Sequence, residues 1–238
     1  MDRFPAAQPH GALEELFPDV FFVTGTMQTE LLNAHWHFSR NMTVVREGDA
    51  LTLINSVRLD EAGLAQLEAL GKVHHVVRLG ALHGHDDGFY QSRYGATYWA
   101  PPGAPEKHGA QADKALIPGG DSPLAGSSVF GFASARLPEC ILHLDREGGI
   151  LVACDALQNW VEPDAYFSDE SRETMRGMGF FQKGNFGPVW MMANEPQGHD
   201  FERLLQLPFR HALCGHGSPL RDTAREAYSE RYQRVFLA

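Results

Sequence analysis

The stretch RLGALHGHDDGFY, residues 78–90, places His83, His85, Asp86 and Asp87 within five positions. It continues from VHHVVRL (73–79), a run rich in β-branched residues that reads as a buried strand. It runs into DDGFYQSRY (86–94), which reads as a short helix with Asp86 or Asp87 at its start. Upstream, LDEAGLAQLEALGK (59–72) reads as a helix. Leu64, Leu67 and Leu70 share one face, Asp60 and Glu61 suit its positive N-terminal end, and Gly71 suits its stop. Strand, helix and strand in this order mark an α/β layered fold. Loops at the carboxyl ends of strands are where such sheets bind ligands, so the histidine cluster stands where a site is expected.

Working outward, DVFFVTGTM (19–27) reads as a strand, and NMTVVREGDALTLINS (41–56) as a hairpin turning on the glycine and aspartate of EGD. ATYWA (96–100) is another short strand. The proline-, glycine- and alanine-rich stretch 101–126 reads as a long surface loop with one helical turn. Three strands follow at 127–134, 139–144 and 149–157. Helices are expected at 168–178, with Ser168 as N-cap, and at 198–207. RHALCGHG (210–217) reads as a strand entering a loop, and the last segment as an amphipathic helix opened by Ser218 and Pro219.

Composition narrows the function classes. The chain has 238 residues, 43% hydrophobic and 21% charged, which suits a soluble globular protein with a full core. No apolar run approaches a membrane span, and the N-terminus lacks the apolar core of a signal peptide. Three cysteines without CxxC spacing point to a reducing, cytoplasmic setting. A net charge of −10 opposes nucleic-acid binding. Twelve histidines raise the expectation of a metal site.

Several strands end in residues of the metal-binding type. The first leads to His83, His85 and Asp87, the strand GILVAC to Asp155, and HALCG to His216. Imidazoles and carboxylates are the ligand set of zinc, iron and manganese. Each residue also has a plainer reading: 83–87 as a solvated polar loop, Asp155 as a strand-end turn residue, His216 as a loop histidine beside glycine. His35 and His37, spaced HxH, read as positions of an extended segment, and Cys154 and Cys214 as small core hydrophobes. The glycine-flanked aromatic stretch 177–194 suits core, a homodimer interface or a wall over a substrate pocket.

HxHxD, then a strand ending in aspartate, then a strand ending in GHG resembles the signature of the metallo-β-lactamase superfamily. The resemblance runs from the first hairpin to His216 and implies a four-layer αββα sandwich, one domain over 1–238, with the metal site at one edge of the two sheets. It implies His83, His85, Asp87, Asp155 and His216 as ligands, and hydrolysis of a small-molecule substrate by a metal-bound hydroxide. The match is partial. The fourth position of HxHxDH is Gly88, the middle histidine falls near Ala135, with Glu139, Cys140 or His143 as substitutes, and an early strand-end aspartate is Asn55. These departures imply a single ion, zinc first and iron or manganese as alternatives, with Asp87 as general base when it is not a ligand. The implied reaction is cleavage of an ester, lactone, amide or similar bond. The alternative is a relative without catalysis that serves as a binding or assembly module.

Overall fold

The computed structural model describes residues 4–238. The first half of the chain builds a sheet of β1 (Glu14–Phe17), β2 (Val20–Leu31), β3 (Ala34–Glu47), β4 (Ala50–Ile54), β5 (Lys72–Val77), β6 (Thr97–Ala100) and β7 (Lys114–Ala115), in that spatial order. Pairing is antiparallel from β1 to β4 and parallel from β4 to β7. The crossovers carry α1 (Glu61–Leu70) and α2 (Asp87–Tyr94). The second half contributes β8 (Ser127–Gly131), β9 (Cys140–Leu144) and β10 (Ile150–Ala153), a two-residue ribbon of β11 (Leu157–Gln158) and β12 (Asn185–Phe186), and β13 (His211–Cys214). The second sheet has the order β13-β10-β9-β8, with β13 parallel to β10. Its helices are α3 (Asp169–Gly177), α4 (Pro188–Asn194), α5 (Gly198–Leu205) and α6 (Ala224–Tyr232).

Side-chain alternation along the strands sets the layers. Val20 and Phe22 of β2 join Val45, Leu142, Val152 and Leu213 in the core between the sheets. Phe21 and Val23, on the other face of β2, pack with Leu64 and Leu67 of α1 and Phe89 and Tyr90 of α2. The outer face of the second sheet, with Ile141, Leu151 and Ala212, packs on Trp190, Phe201 and Tyr228. The four layers expected from the resemblance are therefore present.

Local chemistry explains the helix starts. The Asp60 side chain accepts a hydrogen bond from Gly63 N at 2.8 Å, and Ser168 Oγ accepts one from Ser171 N at 3.2 Å, capping α1 and α3. Several elements differ from the sequence expectation: β1, β12 and α4 have no expected counterpart, and the strand expected at 149–157 is divided into β10 and β11. β2 and β3 run on to a tight turn at Leu32 and Asn33, whose φ values of 52° and 59° suit a two-residue hairpin. The His35–His37 segment is thus part of β3. The loop 101–126 carries β7 in place of the expected helical turn. The last helix opens at Ala224, because Leu220 first exchanges backbone hydrogen bonds with Ala212 at 2.9 Å.

Candidate metal centre and cavity

Three strand ends meet at one edge of the sandwich, and Asn55 ties them together. Its Nδ2 donates to the Ala153 carbonyl at 2.9 Å, at the end of β10, and its Oδ1 accepts from Leu79 N at 3.3 Å, just past β5. From Leu79 the chain enters the histidine loop. Arg78, 2% exposed, grips that loop by donating to the Gly80 carbonyl at 2.8 Å and to the Ala81 carbonyl. Its other arm reaches the Pro105 carbonyl at 2.6 Å, which fixes the 101–126 loop against the same place.

The third contributor is the GHG loop after β13. Asn41 of β3 braces it, donating from Nδ2 to the carbonyls of Cys214 at 3.0 Å and Gly217 at 2.7 Å. Its glycines answer close approaches. A Cβ on Gly217 would lie 2.1 Å from the Asn159 carbonyl carbon, with φ at +85° besides. A Cβ on Gly215 would lie 3.0 Å from the His83 ring.

The result is a convergence of His83, Asp155 and His216. The two Nε2 atoms are 3.0 Å apart. His216 Nε2 lies 3.1 Å from Asp155 Oδ1, and His83 Nε2 lies 3.4 Å from Asp155 Oδ2. All three side chains are buried. His216 Nδ1 lies 3.1 Å from the Ser39 carbonyl, a contact that would keep the ring proton on Nδ1 and free the Nε2 lone pair for an ion once one is bound. Trp160 covers the His216 ring with centroids 4.7 Å apart, and its Nε1 donates to Ser39 Oγ at 2.9 Å. Burial alone would raise the Asp155 carboxyl, but the two imidazoles outweigh it and hold the group well below the usual carboxylate range. Burial lowers His83, against the pull of Asp155.

These spacings fit a first-row ion. Tetrahedral bonds of about 2.0–2.1 Å separate ligand atoms by about 3.3–3.4 Å, close to the distances here. The thiol of Cys154 also turns toward the cluster rather than only filling core space. Its Sγ is 3.4 Å from Asp155 Oδ2, and His83, Cys154 and Asp155 form a group compact enough for an ion. Burial, with Asp155 and Glu139 beside it, pushes that thiol well up, so the protonated form donates to Asp155.

The remaining sequence candidates lie differently. His85 lines the same cavity but leans toward His108, ring centroids 5.8 Å apart. Burial, then the charges of Lys107 and Arg40, lower His85 to about 3. Asp87 is not brought to the cavity. It starts α2 and is 1% exposed, with Ser56 Oγ donating to Oδ1 at 2.5 Å and the Tyr98 hydroxyl to Oδ2 at 2.9 Å. Both oxygens are engaged within the protein, which removes the geometric ground for Asp87 as ligand or general base. Asp86, its neighbour, takes Arg40 in a buried ion pair and accepts from Arg58 N at 2.7 Å.

The expected middle histidine has no counterpart. Ala135 packs with the outer apolar layer of the second sheet. Of the three substitutes, His143 Nε2 turns to the Pro208 carbonyl at 2.7 Å, and Cys140 Sγ to the Leu79 carbonyl at 3.6 Å. Glu139 alone among them approaches Asp155. It is buried, accepts from Ala156 N at 2.5 Å, and is raised well above the usual range by burial and the Asp155 charge.

The cluster forms the floor of a cavity of about 330 Å³. Its walls are largely apolar: Met27 and Leu31 of β2 with Trp36 and Phe38 beside them on β3, and Trp160 and Phe180 from beyond β11. Val189 and Trp190 close another side, so part of 177–194 walls the cavity and part is core. Sequence reading gave no signal for Lys107 and Gln158, which line the same space. Gln158 is 4% exposed and its Oε1 has no hydrogen-bond partner among the described residues.

Comparison with solved structures places this architecture. The metallo-β-lactamase FIM-1 from Pseudomonas aeruginosa, solved in a mono-zinc form, superimposes with a TM-score of 0.62 over 97% of this chain and 98% of its own, at 14% identity. The chain has the metallo-β-lactamase fold. DIM-1 metallo-β-lactamase gives 0.64 over 95% and 100% at 11% identity, and the metallo-β-lactamase from Erythrobacter litoralis 0.58 over 94% and 92% at 15%. No family model matches the chain, and no curated protein matches it. Metallo-β-lactamase architecture therefore persists here at an identity where only the fold follows from the likeness. No described helix is long and apolar enough to cross a membrane.

Proposed function

We propose that the protein is a metal-dependent hydrolase that binds one divalent ion, zinc first among the alternatives, through His83, Asp155 and His216. The convergence of these three side chains on the floor of an apolar cavity carries the reading. Three protein ligands with an open position are the pattern of a catalytic zinc site. The bound ion would polarise the scissile carbonyl and acidify a water for attack near neutral pH. The protein residues do the rest. The Ser39 carbonyl sets the tautomer of His216, Trp160 and Phe38 fix its ring, and the aromatic walls exclude bulk water around the reacting bond. Asp87 is a positioning residue: its bonds to Ser56 and Tyr98 anchor the start of α2, and with it the end of the histidine loop. The internal engagement of Asp87 and the loss of the middle histidine support one ion over two.

The substrates are small molecules with an ester, lactone, amide or similar bond. The test is turnover of a panel of aryl esters and lactones by protein loaded with zinc, iron or manganese, beside Asp155→Ala. Metal-dependent turnover that Asp155→Ala abolishes is expected. A loaded protein that turns over no member would favour the binding-module alternative.

A further inference from the structure

Lys107 is the cation in this cavity whose charge is not spent. It sits in the 101–126 loop, held by Arg78 at Pro105 and by a turn in which Ala110 N donates to the Lys107 carbonyl at 3.0 Å. Its Nζ donates to the Leu82 carbonyl at 2.7 Å, beside His83. An ammonium has three donors, and among the described residues no carboxylate pairs with this one. Arg40, the other cation lining the cavity, is consumed by Asp86 and by the carbonyls of Thr26 and Ser56, both at 3.4 Å. Asp155 is claimed by two imidazoles. A half-buried ammonium against apolar walls is costly without a counter-charge. The buried Gln158 amide, with its unpartnered oxygen, is a second unmet polar group in the same wall. Trp36, Phe38, Trp160 and Phe180 line the same cavity.

We infer that the cavity selects an anionic amphiphile, with an acid group on Lys107 and an apolar acyl or aryl body among the aromatic walls; as a substrate class this rests on the hydrolase reading, with the scissile bond between the two ends. One ammonium suits a single carboxylate rather than a polyphosphate.

The probes are 4-phenylbutanoate and the neutral 4-phenylbutanamide, titrated against tryptophan fluorescence, since three cavity walls carry Trp36, Trp160 and Trp190. Each titration is run on metal-loaded and on chelator-stripped protein, because a carboxylate can also bind an ion. In the stripped protein the acid binds about tenfold tighter than the amide, the value of one charge-assisted hydrogen bond. Lys107→Met abolishes that preference, and Lys107→Arg retains it. A preference that survives Lys107→Met, or that exists only with metal bound, overturns the assignment. So does the absence of saturable quenching by either probe. A protein that binds no metal yet shows the Lys107-dependent preference would refute the hydrolase reading and leave this one standing.

Discussion

Replacing Asn55 by alanine tests how the site is held. Asn55 is 4% exposed and lies where β4, β5 and β10 end together. Truncation removes three things. Leu79 N–H loses its acceptor inside the core, at about 1–3 kcal/mol for an orphaned buried donor. The Ala153 carbonyl loses one of two donors but keeps Gly215 N at 2.9 Å, so this loss is about 1 kcal/mol. The backbone sits at φ +55°, which asparagine tolerates and alanine does not, at about 1 kcal/mol. The expected destabilisation is about 3–5 kcal/mol, measured by urea unfolding on tryptophan fluorescence. Asn55→Gly relieves the backbone component and recovers about 1 kcal/mol relative to Asn55→Ala. Leu79 leads to His83 and Ala153 to Asp155, so metal affinity falls about 10–100-fold as well, the range seen when a residue orienting a ligand is lost. A loss below about 1 kcal/mol, with metal affinity intact, would refute the idea that Asn55 ties the three strand ends together.

Three further outcomes follow from the same contacts. Arg40→Met strands Asp86 in the interior and costs about 3–5 kcal/mol in urea unfolding, and Arg40→Met with Asp86→Asn recovers part of it. The buried Asp200 carboxylate opposes its burial by accepting from Ser134 Oγ and N and from Ala133 N, and its carboxyl is held below the usual value. Its contribution to stability is complete above an unfolded value of about 3.9 and is lost as pH falls through the lower folded value, so Asp200→Asn flattens the acid limb of the stability curve below about pH 4. Trp160→Ala opens a void beside His216 and costs about 3–5 kcal/mol, whereas Trp160→Phe, which loses the bond to Ser39, costs less.

Much of the layering was legible because it rests on short-range chemistry. The glycine–aspartate turn of the β3–β4 hairpin, the Asp60 and Ser168 caps, and the order of strands and helices all follow from residues close in sequence. The reach of the β2–β3 hairpin was missed because MQTELLNAHWHF mixes polar and aromatic residues, and its burial depends on Trp160, Phe167 and Phe180 from far along the chain. Ser218–Pro219 carries a helix-opening signal that tertiary pairing of Leu220 with Ala212 overrides. At the site, His83, Asp155 and His216 were visible as strand-end residues, and the structure brings them within hydrogen-bonding distance. Asp87 carried the same signal, yet the start of α2 directs its carboxylate to Ser56 and Tyr98, partners that spacing does not reveal. The orientation of Cys154, and the arrival of Lys107 from a loop without periodicity, depend on packing across the two sheets.

The most direct test of the central claim is metal content per chain by elemental analysis, on protein purified without added metal and after zinc reconstitution, beside His83→Ala, Asp155→Ala and His216→Ala. About one ion per wild-type chain is expected, lost in each variant while the fold is retained by circular dichroism. About two ions per chain would contradict the single-ion site, and none after reconstitution would contradict the metal centre itself.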